Sequence, residues 1–494
     1  MKLDHICIVG GGSAGWMTAS VLSKHFGNTK KITVVESPNV PTIGVGESTT
    51  QFFNEFIKYL GLKDEDWMPA CDATYKHSVR FVNFNENGPF HYPFGPSGVV
   101  LPLNDYFNWR RDHDVNSMTF CRVFSDAIDP IECGRLYPPF LDKDCGYHLD
   151  AVRFANYLRD HYAIPRGIEH IQETVTDIDV SVDGIDRLYL GDSGRFITAD
   201  LYIDCTGFRA LLLNKVHSEW EDWSKVLFNN STWAIRRQYK DRDRELMAYT
   251  NCTGLSAGWV WTVPTYSRIG TGYNFCDRHI SDEDALKEFK AFLGAEDEPD
   301  ENFRLLKWPT GIRKEVWKHN VVGIGLSAGF IEPLESGGLF SVHEFLFKLI
   351  QVLPTSQKFW NGHLRTAFNH SVKERFTSFR DFVVKHYVMG NRTDTPFWKE
   401  YNQLDFLGEF PNTFTLDWTE MHRLDVIAHG MAYLLGGYEY DMMPERYKEL
   451  SLRDGYPVSD CSVQISDRLR PKDLSSYPRT TQYYKDHLYK GQEE

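Results

Sequence analysis

Three glycines, Gly10, Gly12 and Gly15, follow the apolar run 6–9 in the spacing G-x-G-x-x-G. After a strand, that spacing has a mechanical meaning. The first glycine permits the turn, the second lets a pyrophosphate approach the backbone, and the third lets the next helix pack on the strand. Amides at the helix start, Ser13 and Ala14 among them, then face the phosphates. Glu36, at the end of the next apolar run 31–36, is placed to bind ribose hydroxyls. A second cluster, Gly44-Val45-Gly46-Glu47, exposes backbone that a flat ring could approach, and taken alone it is equally an ordinary loop. Small residues again follow apolar strands at Asp204-Cys-Thr-Gly207 and in Gly323-Ile-Gly325-Leu326-Ser-Ala-Gly329, as a long two-part cofactor requires. FAD therefore fits better than NAD. Consecutive glycines at Gly337 and Gly338 open an apolar helix over about 339–353, and the unshielded amides of such a start bind small anions.

Holding these residues takes a particular set of elements. The run 6–9 reads as a buried strand, 16–26 as a helix and 31–36 as a second strand, so the chain opens with a β-α-β unit. Asp150 caps a helix running to about residue 159, alternating segments follow at 171–180 and 185–190, and 201–204 is a further strand. The nucleotide module is thus assembled from separate stretches. From Val342 onward the pattern is mainly helical, with breaks expected at Pro354, Pro396 and Pro411. The tyrosine-containing tail after Pro471 is polar enough to be loose and aromatic enough to dock.

The bulk numbers narrow the function classes. A chain of 494 residues buries a large core, and a net charge of −14 argues against a nucleic-acid partner. Aromatic residues make up 14%, which suits a pocket for a planar ligand and equally an aromatic core. The nine cysteines show no zinc-type spacing, so a reducing compartment, the cytoplasm, is expected and no metal site. No apolar run reaches membrane-spanning length.

Trp259-Val-Trp261-Thr-Val-Pro264 resembles the W-x-W-x-I-P signature of the flavin-dependent halogenases, whose best-known members act on tryptophan. ICIVGGGSAGWM, PTIGVGEST, WMPACDATYKHSVRFVNF, FIEPLESGG and RDFVVKHYVMGNRTDTPFW resemble the same family, together spanning residues 1 to about 400. The resemblance implies an α/β fold with a doubly wound, glutathione-reductase-like FAD module packed against a largely helical substrate module. The FAD module is expected over 1–85, 145–215 and 310–353, and the substrate module over 86–144, 216–309 and 354–494. It implies further that Val175 and Leu339 join the cofactor-binding set, and that halide sits at Gly337 and Gly338. Trp259, Trp261 and Pro264 would separate the flavin from the organic substrate, although two tryptophans at i and i+2 on a strand are also simply core residues on one face.

By the same resemblance Lys76 matches the active-site lysine. Its ammonium would hold hypohalous acid, or its free amine would form a haloamine. Glu335 matches the catalytic glutamate that stabilises the cationic ring and takes its proton, with Ser336 beside it as a relay. A carboxylate there also suits the helix dipole. His91 and Phe94 are expected to line the substrate cavity. Glycine stands at 337 where tryptophan-specific relatives carry threonine, which suggests a roomier halide site that takes bromide or iodide at least as well as chloride. A separate flavin reductase is expected, a homo-oligomer is admissible, and the substrate is an indole, phenol or pyrrole. The competing readings are an FAD-dependent aromatic hydroxylase and a non-catalytic flavin-binding protein.

Overall fold

A computed structural model describes residues 3–40, 44, 46–85, 88–95, 117–191, 194–353, 362–388, 392–404 and 467–491. Its first layer is a six-stranded sheet in the order Trp317–Lys318, Val321–Gly323, Leu201–Asp204, His5–Val9, Lys31–Val35, Glu169–Ile171. All neighbours run parallel except the first pair. The central strands HICIV, KITVV and LYID are almost wholly buried, as expected where both faces of a parallel sheet are covered. Helix Ser13–Phe26 leaves the first strand through Gly12 and buries most of its length. Asp150 caps helix Ala151–Tyr157, its carboxylate accepting from the amides of Val152 and Arg153.

The second layer departs from the expected helical substrate module. It is a seven-stranded sheet in the order Arg304–Lys307, Ser231–Arg237, Ile269–Phe275, Gly258–Pro264, Tyr249–Gly254, Ser78–Val82, Phe90–Pro93. Only Tyr249–Gly254 and Ser78–Val82 pair in parallel. Strand Ser78–Val82 belongs here although it lies in the stretch 1–85. The cause is burial on both faces: Ile269–Phe275 is buried at every position, and the face opposite Ile269, Thr271, Tyr273 and Phe275 carries glycine and asparagine instead of solvent-facing charges.

A small sheet joins the two layers, with Gly146–Leu149 between Glu47–Ser48 and Thr74–Lys76. Helices Gly337–Val352 and Gly362–Val388 pack together beside it. Pro396 opens a helix, Pro396–Tyr401, instead of ending one, since proline at a first helical position gives up no bond; Pro354 and Pro411 lie outside the described residues. The tail docks. Tyr484 and Tyr489 are buried, and the hydroxyl of Tyr484 accepts from the Tyr75 amide at 2.7 Å, next to Lys76. Among the described residues no helix is long and apolar enough to cross a membrane, and no cluster of His, Cys, Asp and Glu could hold a metal ion.

Candidate active site

Lys76 ends its strand fully buried, an expensive place for an ammonium unless its donors are engaged. Nζ donates to the Thr49 carbonyl at 3.0 Å and to Ser336 Oγ at 2.7 Å, and lies 4.9 Å from the centre of the Phe94 ring. Burial lowers its pKa to about 8, while the nearby Glu335 carboxylate and Cys252 act in the opposite sense. Folding thus depresses this group from its ordinary 10.5. Between about 8 and 10.5 the unfolded chain binds the extra proton, so Lys76's contribution to stability rises with pH across that window.

Ser336 passes the contact onward. Its hydroxyl donates to Ser48 Oγ at 2.9 Å, and Ser48 meets Thr250 Oγ1 at 2.8 Å. Thr250 in turn meets His148 Nε2 at 2.9 Å. Burial and the Lys76 charge hold His148 well below its ordinary range, so it sits there neutral.

Glu335 and Ser336 are consecutive non-glycine residues in the left-handed region, with φ of 61° and 62°. Such backbone costs about 1–3 kcal/mol per residue and persists only where the surroundings fix it. Here it turns the chain sharply into helix Gly337–Val352 and presents both side chains to Lys76. Glu335 is buried. Its Oε1 is 3.0 Å from His386 Nε2, while Oε2 has no protein partner. Lys76 thus bonds Ser336 directly and lies close enough to Glu335 to feel its charge.

Trp259 and Trp261 share a face of strand Gly258–Pro264 and both are buried. The Trp259 indole N–H donates to Glu332 Oε1 at 3.0 Å, three residues before Glu335. Glu332 also accepts from the Tyr387 hydroxyl and, at 2.9 Å, from Asn229. Trp261 lies flat against Gly272, where a Cβ would stand 2.7 Å from the indole. The Pro264 carbonyl accepts from Thr74 Oγ1 at 2.7 Å, tying this strand to that of Lys76. His91 is placed differently from Phe94: Nδ1 meets Ser78 Oγ at 2.8 Å and Nε2 meets Glu132 at 2.9 Å, so both ring nitrogens are engaged inside the protein. Sequence reasoning passed over Glu332 and His386. Glu332 lies in FIEPLESGG and His386 in RDFVVKHYVMGNRTDTPFW, yet only their partners distinguish them.

The residues around the glycine turn fit FAD. Gly10 has φ +116°, and a Cβ there would stand 2.3 Å from the Cys205 carbonyl oxygen. A Cβ on Gly15 would stand 1.9 Å from the Gly10 carbonyl. Gly325, also at positive φ, packs against Ala14, and Gly207 faces open space. The segments 10–15, 205–207 and 325 thus converge on one backbone-lined cradle at a helix N-terminus. Glu36 folds over Gly11 and meets His170 Nε2 at 2.9 Å. Ser13 Oγ donates to the Ala151 carbonyl at 3.1 Å. Val175 follows Thr174, whose hydroxyl meets Ser37 beside Glu36. Leu326 is half-buried and Leu339 buried. Gly44 packs on Val152 and its carbonyl accepts from Arg236; Gly46 lies over Gly270; Val45 is outside the described residues. Gly15→Ala is expected to destabilise the protein by about 1–3 kcal/mol through backbone displacement, read as a lower melting temperature.

Gly337 and Gly338 open a 16-residue helix. A Cβ on Gly338 would stand 3.6 Å from Glu47 Oε2, so that carboxyl, pushed up to about 7 by burial, faces the same helix end. The expected extra room at Gly337 is absent: its side-chain direction is closed by Phe379, whose ring lies 2.4 Å from the Cβ position. Threonine here would require that ring to move.

A model of the family described as tryptophan halogenase matches residues 5–417. Tryptophan 6-halogenase ThaL of Streptomyces albogriseolus is 33% identical over 82% of this chain and 80% of its own length. Tryptophan 7-halogenase RebH of Lentzea aerocolonigenes is 32% identical over 82% and 79%. Among solved structures, apo VirX1 superposes with a TM-score of 0.85 at 34% identity, covering 99% of this chain and 100% of that one. Tar14, a tryptophan C-6 flavin-dependent halogenase from taromycin biosynthesis, gives 0.80 at 31%, covering 97% and 99%.

Proposed function

Since this chain belongs to the tryptophan halogenase family and is a flavin-dependent halogenase enzyme, we propose that it uses FADH2, O2 and halide to form hypohalous acid and halogenates an electron-rich aromatic of the indole, phenol or pyrrole type. The observation that carries this reading is the buried Lys76 ammonium donating to Ser336, with the buried Glu335 carboxylate on the preceding residue acting on its charge and keeping one oxygen free of protein partners. The cofactor module is taken as 1–77, 145–215 and 310–353, since Ser78–Val82 pairs into the seven-stranded sheet. Gly10, Gly12, Gly15, Glu36, Gly207 and Gly325 would hold FAD there, which, reduced by a separate flavin reductase, would supply the oxygen activation that oxidises the halide.

Lys76 works as an ammonium. It donates to the oxygen of hypohalous acid while the ring's electron pair attacks the halogen; the halogen–oxygen bond breaks, and the oxygen takes the lysine proton and leaves as water. Glu335 Oε2 stabilises the cationic ring and accepts its proton, the C–H electron pair returning to the ring. That proton then restores Lys76. The working form is the protonated one, so turnover is expected to fall as pH rises through about 8. A rate that climbs through the same region would instead support a haloamine formed by the free amine.

Phe379 closes the room expected beside Gly337, so a preference for bromide would rest on its weaker hydration alone, a larger anion losing less on leaving water. Bromide is expected to be incorporated over chloride in a competition at equal concentration across an indole and phenol panel read by mass spectrometry. Chlorination at or above bromination would contradict this preference.

A further inference from the structure

Outside the groups already given a role, the strongest unassigned chemistry in the molecule stands on helix Gly362–Val388, at His386. The ring is fully buried and pairs with Glu335, itself 1% exposed at its side chain. Its Nδ1 lies 2.9 Å from the Phe382 carbonyl and its Nε2 lies 3.0 Å from Glu335 Oε1. A carbonyl oxygen only accepts, so Nδ1 carries a proton. If Nε2 were bare, its lone pair would face the lone pairs of an ionised carboxylate in a buried site. A proton must therefore lie on the Nε2–Oε1 contact, whichever atom owns it.

The surroundings choose the owner. Glu335 is faced by the Lys76 ammonium, by the Cys252 thiol and by the Tyr92 phenol. His386 is packed between the rings of Phe81 and Phe382, both 5.0 Å away, on which no charge competes for the proton. The next residue repeats the arrangement, Tyr387 donating to Glu332, so helix Gly362–Val388 grips the strained turn at two consecutive positions.

We propose that His386 is a positioning residue for Glu335: it stays an imidazolium, holds Oε1 through its Nε2–H, and leaves Oε2 as the single basic oxygen that meets the reacting ring. This rests on Glu335 acting as the proton acceptor of halogenation. Its consequence is a defined charge count. The pair carries no net charge before reaction, so the Lys76 ammonium is the single net charge among the three groups. Rotation of the carboxylate, which would exchange the two oxygens, is blocked.

The test separates this inference from the proposed function. In full-length, FAD-loaded protein with nitrogen-labelled histidine, the His386 resonances, assigned by their loss in His386→Gln, are expected to show both ring nitrogens protonated at neutral pH. In Glu335→Gln they are expected to shift to a single-proton Nδ1–H form, because the amide then donates to Nε2. A bare Nε2 in the wild-type protein would overturn the proposal, whatever reaction the enzyme runs. In kinetics, His386→Phe is expected to lower kcat at least about tenfold with KM and FAD binding unchanged, and His386→Gln, which still donates to Oε1, to recover most of it. Equal loss in both variants, or none in His386→Phe, would count against a positioning role.

Discussion

Lys76→Ala is expected to lower halogenation by about 10²–10⁴-fold while leaving FAD affinity unchanged. The ammonium donates to the Thr49 carbonyl and Ser336 hydroxyl and lies over the Phe94 ring, and truncation removes that donor. The orphaned Thr49 carbonyl and Ser336 hydroxyl cost about 1–3 kcal/mol. Loss of a buried charge offsets part of this, so the variant folds. Among the described residues, the polar contacts of Lys76 go to Thr49 and Ser336 and not to the glycine cradle. Oxidised halide should still form, and should escape to a scavenger in solution instead of reaching the aromatic. Lys76→Arg is not expected to rescue, because a planar guanidinium does not fill the site of a compact ammonium. Unchanged product formation in Lys76→Ala would remove this residue from the mechanism.

Glu335→Gln should give a loss of similar size, about 10²–10⁴-fold in kcat, by a different route. The amide preserves shape and the left-handed turn, so the melting temperature should barely move. It cannot take a proton from the ring, nor stabilise the cationic ring with a negative charge. Hypohalous acid held at Lys76 would then accumulate unproductively. The informative readout is an isotope effect at the halogenated carbon, expected to be larger in Glu335→Gln than in the wild-type enzyme because loss of the ring proton becomes limiting. Full activity in this variant would make Glu335 a structural residue at the helix start.

The nucleotide half was legible in the chain because its signals are local. Strands 5–9, 31–35 and 201–204 are short apolar runs that end in glycine or turn residues, and the glycine spacing needs no distant partner to be read. The seven-stranded sheet was not, since segments such as Ile269–Phe275 are buried on both faces and carry glycines and an asparagine on one of them, so no half-buried apolar stripe marked them as strands. The site divides in the same way. Lys76 and Glu335 were found through motifs, but what orients Glu335 is a histidine 51 residues away, and what fixes Trp259 is a glutamate held by a tyrosine 55 residues further on. Side-chain pairs across such separations leave no spacing to recognise. Gly337 shows the converse error: a missing side chain suggested space, and a ring from another helix had already taken it.

The central claim is that oxidising power made at the flavin reaches the aromatic as halogen and not as oxygen. Incubating the enzyme with FAD, a flavin reductase, NADH, bromide and isotopically labelled dioxygen, with an electron-rich aromatic present, tests it in one mass spectrum. The aromatic product is expected to carry bromine and none of the labelled oxygen, which should appear in water. A product bearing labelled oxygen and no halogen would make the enzyme a hydroxylase and contradict the assignment of Lys76 and Glu335.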